Sequence, residues 1–330
     1  MQAVKFGVVI PYFQRKPGLL RGALESIKRQ RLLQRAECAI QVVVVDDSSP
    51  HPVGKEIEGF ECCAGLSLTI HGQPNAGAGA ARNSGLQLIE EDCHFIAFLD
   101  SDDEWDEDHL ETAAAAFRCG ADFYFCDAIR HPGPESENAL VPEWFAGSLT
   151  PCAEHTTLNL YSGDADLVIV KGLVPTTSTI VHRRRAQTVA FPSRYFRFGE
   201  DQYYCLSYVS GPARIAYSSK PSVRCGVGVN IFAGNVPGSE SNRLCLMDEI
   251  SYRVDALSSF TLSNLAAKHV QTKLKQARCE ALERGLWLAL SGQWSWLRRS
   301  LTVHPGILQT LPSVLVKMIG SRINQQRLAK

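Results

Sequence analysis

The chain has 330 residues, of which 45% are hydrophobic and 21% charged, and its 34 basic residues balance 34 acidic ones. This length allows one large α/β domain, or one domain with a helical appendage, and a sizeable core. Because the charge is balanced, the composition gives no indication of a nucleic-acid partner, and none is expected.

The eleven cysteines are scattered, without CxxC spacing. The N-terminus leads directly into an apolar run without a cleavable leader, and both features predict a reducing, cytoplasmic setting. Cys62 and Cys63 have no partner pair at zinc-finger spacing, so we interpret them as buried small hydrophobes.

The first 105 residues alternate between apolar runs and helical patterns. The apolar runs predict strands at residues 4–10, 40–45 and 66–70 and from residue 95 onward. Helical patterns lie between them, at residues 17–31 and 75–89. Such alternation predicts a mainly parallel, nucleotide-binding half-sheet, in which ligands bind at the carboxyl ends of the strands. Polar or aromatic groups fall at those ends, namely Tyr12, Asp46, Asp47, Asp100 and Asp102.

Residues 106–240 are less regular. A helix is expected at 107–118 and a strand at 123–129, and the Pro- and Gly-rich stretch 131–148 is typical of an exposed loop. An aromatic-rich helix is expected at 203–209, and residues 241–330 are predicted to form a mostly helical C-terminal region.

The run FIAFLDSDD at residues 95–103 is an apolar strand that ends in clustered carboxylates. In an extended segment side chains alternate between faces, so Asp100 and Asp102 are expected to point the same way while Ser101 turns aside. Paired carboxylates suit Mg²⁺ or Mn²⁺, which bind through one or two of them together with substrate phosphates. The alternative is that Asp103 or Asp106 caps the helix that follows.

Five motifs, in this order, resemble those of glycosyltransferase family 2, whose members are inverting, metal-dependent enzymes of the GT-A fold. They are VVIPY at 8–12, VVVDDSS at 43–49, NAGAGAARNSG at 75–85, FLDSDD at 98–103 and GED at 199–201. The resemblance implies an α/β fold with a mixed, mainly parallel sheet flanked by helices and a helical C-terminal appendage. Residues 1–240 would form the catalytic domain, with a nucleotide-binding half at 1–105 and an acceptor-binding half at 106–240.

By this resemblance, Pro11, Tyr12 and Arg15 would line the base and ribose pocket, and Tyr12 would offer a stacking face. Asp46 or Asp47 would accept a hydrogen bond from the uracil ring, because a carboxylate selects a base that presents an N–H. The alternatives are loop packing for Tyr12 and a simple turn for the Asp-Ser-Ser run.

The resemblance also assigns residues to the diphosphate and the metal. Arg82 would reach the nucleotide or its diphosphate, and the small residues before it would allow a close backbone approach. Asp100 would contact the ribose, beside Ser101. Asp102, with Asp100, would bind a Mn²⁺ or Mg²⁺ ion through the diphosphate, and the metal would neutralise charge on the leaving group.

For the acceptor, the resemblance makes Asp201 the general base that takes the proton from the attacking hydroxyl, while Glu200 orients the site. The alternative is a helix start with acidic residues in its first turn. Residues 176–179 lie where family members often shape the sugar or acceptor pocket, although Ser and Thr are also common in strands.

One departure from the family concerns a histidine that many members carry downstream, where it helps to hold the metal or diphosphate. This chain reads RCGVGVN at 224–230, without histidine. Asn230, Arg224 or the glycine backbone would take its place, or the metal would rely on Asp102, phosphates and water alone.

The C-terminal region combines aromatic and basic side chains. Trp287, Trp294 and Trp296 and the apolar residues that follow them are interspersed with basic residues, a composition that suits a helix lying on an anionic membrane surface. The basic residues are Arg298, Arg299, Lys317, Arg322 and Arg327. A spanning helix is not expected, because the longest uncharged run is broken by two prolines, Pro305 and Pro312. The alternative is that this region packs on the catalytic domain or on a second subunit.

Together these features predict an inverting glycosyltransferase that moves a sugar from a UDP-linked donor to an acceptor hydroxyl of a glycan or lipid-linked oligosaccharide, in bacterial surface-polysaccharide assembly. Three alternatives stay open. An NAD-dependent oxidoreductase would explain the parallel sheet, but its glycine fingerprint should follow the first strand. An aspartyl phosphatase would use Asp100 as nucleophile and Asp102 as acid. A nucleotide-sugar-binding scaffold without turnover would explain the missing histidine.

Overall fold

A computed structural model of the chain describes residues 4–130, 142–153, 155–186, 189–195, 197–211, 213–228, 236 and 238–317. The chain divides into two compact units. The first contains residues 1–196 and 200–231, and the second contains residues 197–199 and 232–330.

A mixed sheet forms the centre of the first unit. Its strands are β1 Val4–Tyr12, β2 Cys38–Asp46, β3 Leu66–Gly72, β4 Phe95–Phe98, β5 Glu104–Trp105, β6 Phe123–Arg130, β7 Leu149–Pro151, β8 Leu158–Tyr161, β9 Val181–Arg183 and β10 Ile215–Cys225. Within the described residues these ten strands follow the order β3-β2-β1-β4-β9-β6-β10-β8-β7, with β5 paired to β10.

Strands β1 to β4 form the parallel half of the sheet. β1 pairs in parallel with β2 and β4, and β2 pairs in parallel with β3. The interior of β2 is buried without alternation, as expected for a parallel strand covered on both faces. Tyr12 lies opposite Asp46 in the register, so the carboxyl ends of β1 and β2 meet at one edge of the sheet.

The second half of the sheet is mixed. β9 runs antiparallel to both β4 and β6 and thereby joins the two halves. β10 pairs in parallel with β6, and its register is irregular between Ser218 and Val223. Pro221 falls in this irregular stretch, where a residue without an N–H does least damage to the ladder.

Helices cover both faces of this sheet. They are α1 Leu19–Lys28, α2 Arg31–Gln34, α3 Val53–Ile57, α4 Ala78–Leu88, α5 His109–Arg118, α6 Glu143–Ala146, α7 Ala165–Val170 and α8 Glu200–Val209, and Thr177–Thr179 form a 3-10 turn. Val8 and Ile10 belong to one hydrophobic cluster and Val9 to another, because successive residues of β1 face opposite sides of the sheet.

The second unit is helical. It contains α9 Glu240–Ser259, α10 Asn264–Leu290, α11 Ser295–Val303 and a 3-10 segment Pro305–Thr310. Ser239 and Ser263 cap the first two helices by accepting hydrogen bonds from backbone N–H groups. Among the helices that the structure describes, none combines the length and apolarity that a membrane crossing requires.

Several local predictions need correction. Residues 131–141 of the predicted loop lie outside the described part of the chain, and 143–146 form a helix instead. Cys62 is exposed and Cys63 half-buried, so neither is the buried residue that we predicted, and a disulfide joins Cys119 to Cys152. The exposure of Cys62 and Cys63 has a simple reason, since they lie in the connection between α3 and β3 rather than in a core element.

Candidate active site

The end of β1 departs from the predicted base pocket. Tyr12 is completely buried, and its hydroxyl donates to the carbonyl of His51 at 2.9 Å. Burial raises the pKa of Tyr12 to about 12. The structure leaves no exposed face on Tyr12, as the alternative of loop packing expected, and a stacking role stays a prediction. Pro11 is half-buried opposite Val45, and Arg15 is exposed.

The two aspartates at the end of β2 have different surroundings. Asp46 is half-buried, and its Oδ1 accepts from the backbone N–H of Ser49 at 2.7 Å, which forms a local turn. Asp47 is buried, and its carboxylate accepts from the N–H groups of Ala76 and Gly77, both at 2.8 Å. Asp47 thus holds the segment before α4, and Asp46 is the more open of the two candidates for a base contact.

Arg82 lies on α4 and bonds to two separate segments of the predicted site, the carboxylate run at 100–103 and the hydroxyl run at 176–179. Its Nη2 donates to Asp100 Oδ1 at 2.6 Å and to Thr177 Oγ1 at 2.9 Å. The guanidinium lies 5.4 Å from the ring centre of Phe191. Burial disfavours its charged form, but the charges of Asp100 and Glu200 outweigh this effect and raise the pKa of Arg82.

The carboxylate cluster lies in a turn, not in an extended strand. β4 ends at Phe98, and the N–H of Asp103 donates back to the carbonyl of Asp100 at 3.0 Å. The prediction of strand alternation across Asp100, Ser101 and Asp102 is therefore wrong, because the strand has already ended. Ser101 is buried, and its hydroxyl accepts from the side chain of Gln14 at 3.0 Å.

Asp102 and Asp103 are both held by the backbone that follows β10. Gly228 N–H donates to Asp102 Oδ2 at 2.7 Å, and Gly226 N–H donates to Asp103 Oδ1 at 2.9 Å. Burial raises the pKa of Asp102, and burial together with the charge of Asp100 raises the pKa of Asp103 to about 7.

Neither Asp103 nor Asp106 caps α5. The N-cap residue of α5 is Asp108, and its side chain makes no cap hydrogen bond. Asp106 instead forms an ion pair with exposed Arg224 at 3.1 Å. Arg224, a candidate for the place of the missing histidine, therefore pairs with Asp106 and not with Asp102. Asn230, another candidate for the place of the missing histidine, lies outside the described residues.

Glu200 and Asp201 occupy the first turn of α8, as the alternative interpretation also expected. Burial and the neighbouring Asp201 raise the pKa of Glu200 to about 8. Burial also raises the pKa of Asp201, whose Oδ1 accepts from the N–H of Gln202 at 2.7 Å. The charge of Arg82 acts on both carboxyl groups, which brings the acidic pair, Arg82 and Asp100 into one electrostatic cluster.

A divalent cation would fit at Asp100 and Asp102 only with further ligands from outside the protein. Among the described residues, no three His, Cys, Asp or Glu side chains are arranged to hold a metal ion. Asp100 and Asp102 repel each other electrostatically, and a cation would relieve this repulsion. Two carboxylates with substrate phosphates and water form the kind of ligand set that Mg²⁺ and Mn²⁺ accept.

Two sets of contacts at the site were not assigned from the sequence. Ser178 donates to Asp103 Oδ2 at 2.6 Å and accepts from the N–H of Asp100 at 3.0 Å, so it ties the ends of the carboxylate turn together. Phe191 exchanges hydrogen bonds with the side chain of Asn83 through its backbone. The hydroxyl run at 176–179 was a signal for the first, whereas no sequence pattern indicated the second.

The family profile described as glycosyl transferase family 2 matches residues 7–177, which is more than half of the chain. The chain belongs to glycosyltransferase family 2. A family 2 assignment was predicted from the motifs and is confirmed. The succinoglycan biosynthesis protein ExoW of Rhizobium meliloti (strain 1021) is 44% identical over 122 residues. That match spans 37% of this chain and 37% of the relative.

Solved structures share the fold of this family 2 chain at low identity. TarS 1–349 of S. aureus in complex with UDP-GlcNAc has a TM-score of 0.62 at 19% identity, covering 91% of this chain and 81% of that one. The mannosyltransferase PcManGT of Pyrobaculum calidifontis, in complex with GDP-Man and Mn²⁺, has a TM-score of 0.52 at 15% identity, covering 94% and 86%. The predicted GT-A architecture, a mixed sheet flanked by helices, is confirmed.

Proposed function

We propose that this chain transfers a sugar from a nucleotide-sugar donor, with a UDP-sugar as the expected donor, to an acceptor hydroxyl of a glycan or lipid-linked oligosaccharide. The observation that carries the proposal is the electrostatic cluster of Arg82, Asp100, Glu200 and Asp201 in a family 2 fold. Support for the substrate class comes from the succinoglycan biosynthesis name of ExoW and from the UDP-GlcNAc complex of TarS.

Arg82 is the residue that we assign to the donor diphosphate. Its Nε is buried without a hydrogen-bond partner among the described residues, although Nη2 is paired with Asp100. A buried donor without an acceptor is costly, and a phosphate oxygen would satisfy it. We assign the contact with the nucleotide's base to Asp46, because Asp47 already accepts hydrogen bonds from several N–H groups.

The metal assignment is Asp102 with Asp100. When bound with the donor, Mn²⁺ or Mg²⁺ would act as a Lewis acid that stabilises the charge on the departing diphosphate. The surrounding residues hold the two carboxylates in place: Arg82 and Thr177 at Asp100, and Gly228 at Asp102.

We assign the general base to Asp201 and an orienting role to Glu200. The raised pKa of Asp201 suits this task, because a carboxylate with a higher pKa is a stronger base, and a general base works best when its pKa is near the operating pH. Attack by the acceptor hydroxyl on the face opposite the diphosphate inverts the anomeric carbon, and the proton of that hydroxyl passes to Asp201.

Calorimetric titration with UDP, GDP, CDP and NAD, each with and without Mn²⁺, tests the donor site. We expect UDP to bind in a Mn²⁺-dependent way that Asp102→Ala abolishes and that Asp92→Ala, at an exposed aspartate paired with Lys5, leaves unchanged. Binding of NAD, or of no nucleotide, would contradict the proposal. Binding of GDP in place of UDP would retain the glycosyltransferase and correct the donor.

Turnover separates an enzyme from a scaffold. Asp201→Asn should retain nucleotide binding and lose release of UDP from the donor sugar in the presence of acceptor, whereas the exposed Asp164→Asn should behave as wild type. Equal turnover of wild type and Asp201→Asn would contradict the assigned base. The oxidoreductase and phosphatase alternatives have no support in the family assignment.

We further propose that residues 1–105 bind the donor and residues 106–240 bind the acceptor.

We also propose that the chain acts at the cytoplasmic side of a membrane and contacts its anionic surface through the helical second unit. Trp287 and Trp294 are 48% and 57% exposed, and Arg298 and Arg299 of α11 in the same unit are exposed as well. Trp296 is buried in the same unit, so the stretch also completes a core, as the alternative interpretation expected. Residues 318–330 of this stretch lie outside the described chain.

A further inference from the structure

The backbone after β10 forms a short strap across the carboxylate turn. The glycine strap consists of Gly226, Val227 and Gly228. The N–H groups of its two glycines donate to Asp103 Oδ1 and Asp102 Oδ2, at 2.9 and 2.7 Å. The Val227 side chain between them is 62% exposed.

Only glycine fits at both donor positions. A Cβ on Gly226 would lie 1.8 Å from the carbonyl oxygen of Asp102, and a Cβ on Gly228 would lie 2.6 Å from Asp102 Oδ2. Neither glycine has a positive φ, so the requirement comes from space and not from backbone conformation. The glycines allow the strap to approach the carboxylates closely enough for its N–H groups to reach them.

We propose that the glycine strap is a positioning element for the metal-binding carboxylate and takes the place of the histidine that this chain lacks. The proposal rests on the proposed function, because it concerns the cation that accompanies the donor diphosphate. Carboxylates that ligate metals are themselves held by hydrogen bonds, and loss of such support typically lowers metal affinity about 10- to 100-fold. Gly228 N–H provides this support to Asp102, and Gly226 N–H supports the adjacent Asp103.

The strap predicts a defect that is specific to the metal. Gly228→Ala should weaken Mn²⁺ binding in the presence of UDP by about tenfold or more, measured by electron paramagnetic resonance of free Mn²⁺. Because the added Cβ crowds Asp102, the Tm should fall as well, so circular dichroism is used to show that the variant is folded at the temperature of the Mn²⁺ titration. Gly211→Ala is the matched control, because a Cβ there meets nothing within 4 Å, and it should keep wild-type Mn²⁺ affinity.

Hydrogen exchange on the wild-type protein gives a test that does not depend on a variant. We expect the amides of Gly226 and Gly228 to stay protected when Mn²⁺ and UDP are added. Faster exchange of these amides on adding Mn²⁺ and UDP, or wild-type Mn²⁺ affinity in Gly228→Ala, would overturn the strap proposal alone. If the wild type binds no nucleotide with Mn²⁺, the proposed function fails, and the strap proposal fails with it.

Discussion

Glu200 is a carboxyl group whose surroundings favour its protonated form, since burial and Asp201 raise its pKa to about 8. Between its unfolded pKa of about 4.3 and the folded value, the folded protein keeps a proton that the unfolded chain releases. The stability that this proton confers is therefore present at low pH and is lost as the pH rises through about 8.

Glu200→Gln cannot ionise, so its free energy of unfolding relative to wild type should rise across this pH window. We expect a gain of roughly 2–3 kcal/mol on going from about pH 6 to about pH 9, because the linkage amounts to about 1.4 kcal/mol per pH unit up to the folded pKa, measured by urea unfolding. Glu240→Gln, at the exposed first residue of α9, is the matched control for the change from glutamate to glutamine. A constant difference between Glu200→Gln and wild type at all pH values would mean that Glu200 is ionised in the folded protein.

Asp46 and Asp47 are adjacent in sequence but should fail differently when mutated. Asp47→Ala removes the acceptor of two backbone N–H groups and one side-chain amide, which should cost about 3 kcal/mol of unfolding free energy. Asp46→Ala removes one acceptor and should cost about 1 kcal/mol while weakening UDP binding. Urea unfolding and calorimetry on both variants check this, and equal destabilisation would contradict the assignment.

Residue roles were harder to predict than residue identities. The motifs singled out Arg82, Asp100 and Asp201, whose charges act on one another in the structure, while their roles stay predictions. They did not distinguish Asp46 from Asp47, or reveal that Tyr12 is buried, because both depend on how the loop at residues 47–51 folds back on β1. Strand alternation failed at Asp102, because the strand ends before the carboxylates begin.

At the scale of the element, the position of Arg82 depends on how closely α4 packs on β1. A Cβ on Gly85 would lie 2.3 Å from Val9 Cγ1. Gly85→Ala should therefore lower the unfolding free energy by about 1–3 kcal/mol, because overpacking outweighs the gain of up to about 1 kcal/mol in helix propensity. Gly54→Ala, in α3 with nothing within 4 Å of a Cβ, should show only the gain, and thermal unfolding of both variants checks the contrast.

The elements themselves were largely predictable from hydrophobic periodicity. The apolar runs at 4–10, 40–45 and 66–70 lie within β1, β2 and β3, because parallel strands that are buried on both faces are continuously apolar. The predicted helix at 17–31 proved to be α1 and α2, with Arg29 and Gln30 between them. The placement of β9 between β4 and β6 was not predictable, since three residues carry little pattern.

At the scale of the whole molecule, the proposed membrane contact predicts binding of the full chain to anionic vesicles. Two exposed tryptophans and the exposed arginines of the same unit should give a salt-sensitive attachment, because the basic groups supply attraction and the rings enter the interface. In flotation with phosphatidylglycerol vesicles, Trp287→Ser with Trp294→Ser should bind roughly tenfold more weakly, equal to about 1.4 kcal/mol. Leu88→Ser, at an exposed apolar residue of the first unit, is the matched control. Undiminished flotation of the double variant would show that the two tryptophans do not enter the membrane, and equal binding to phosphatidylcholine vesicles would show that the attachment does not depend on anionic lipid.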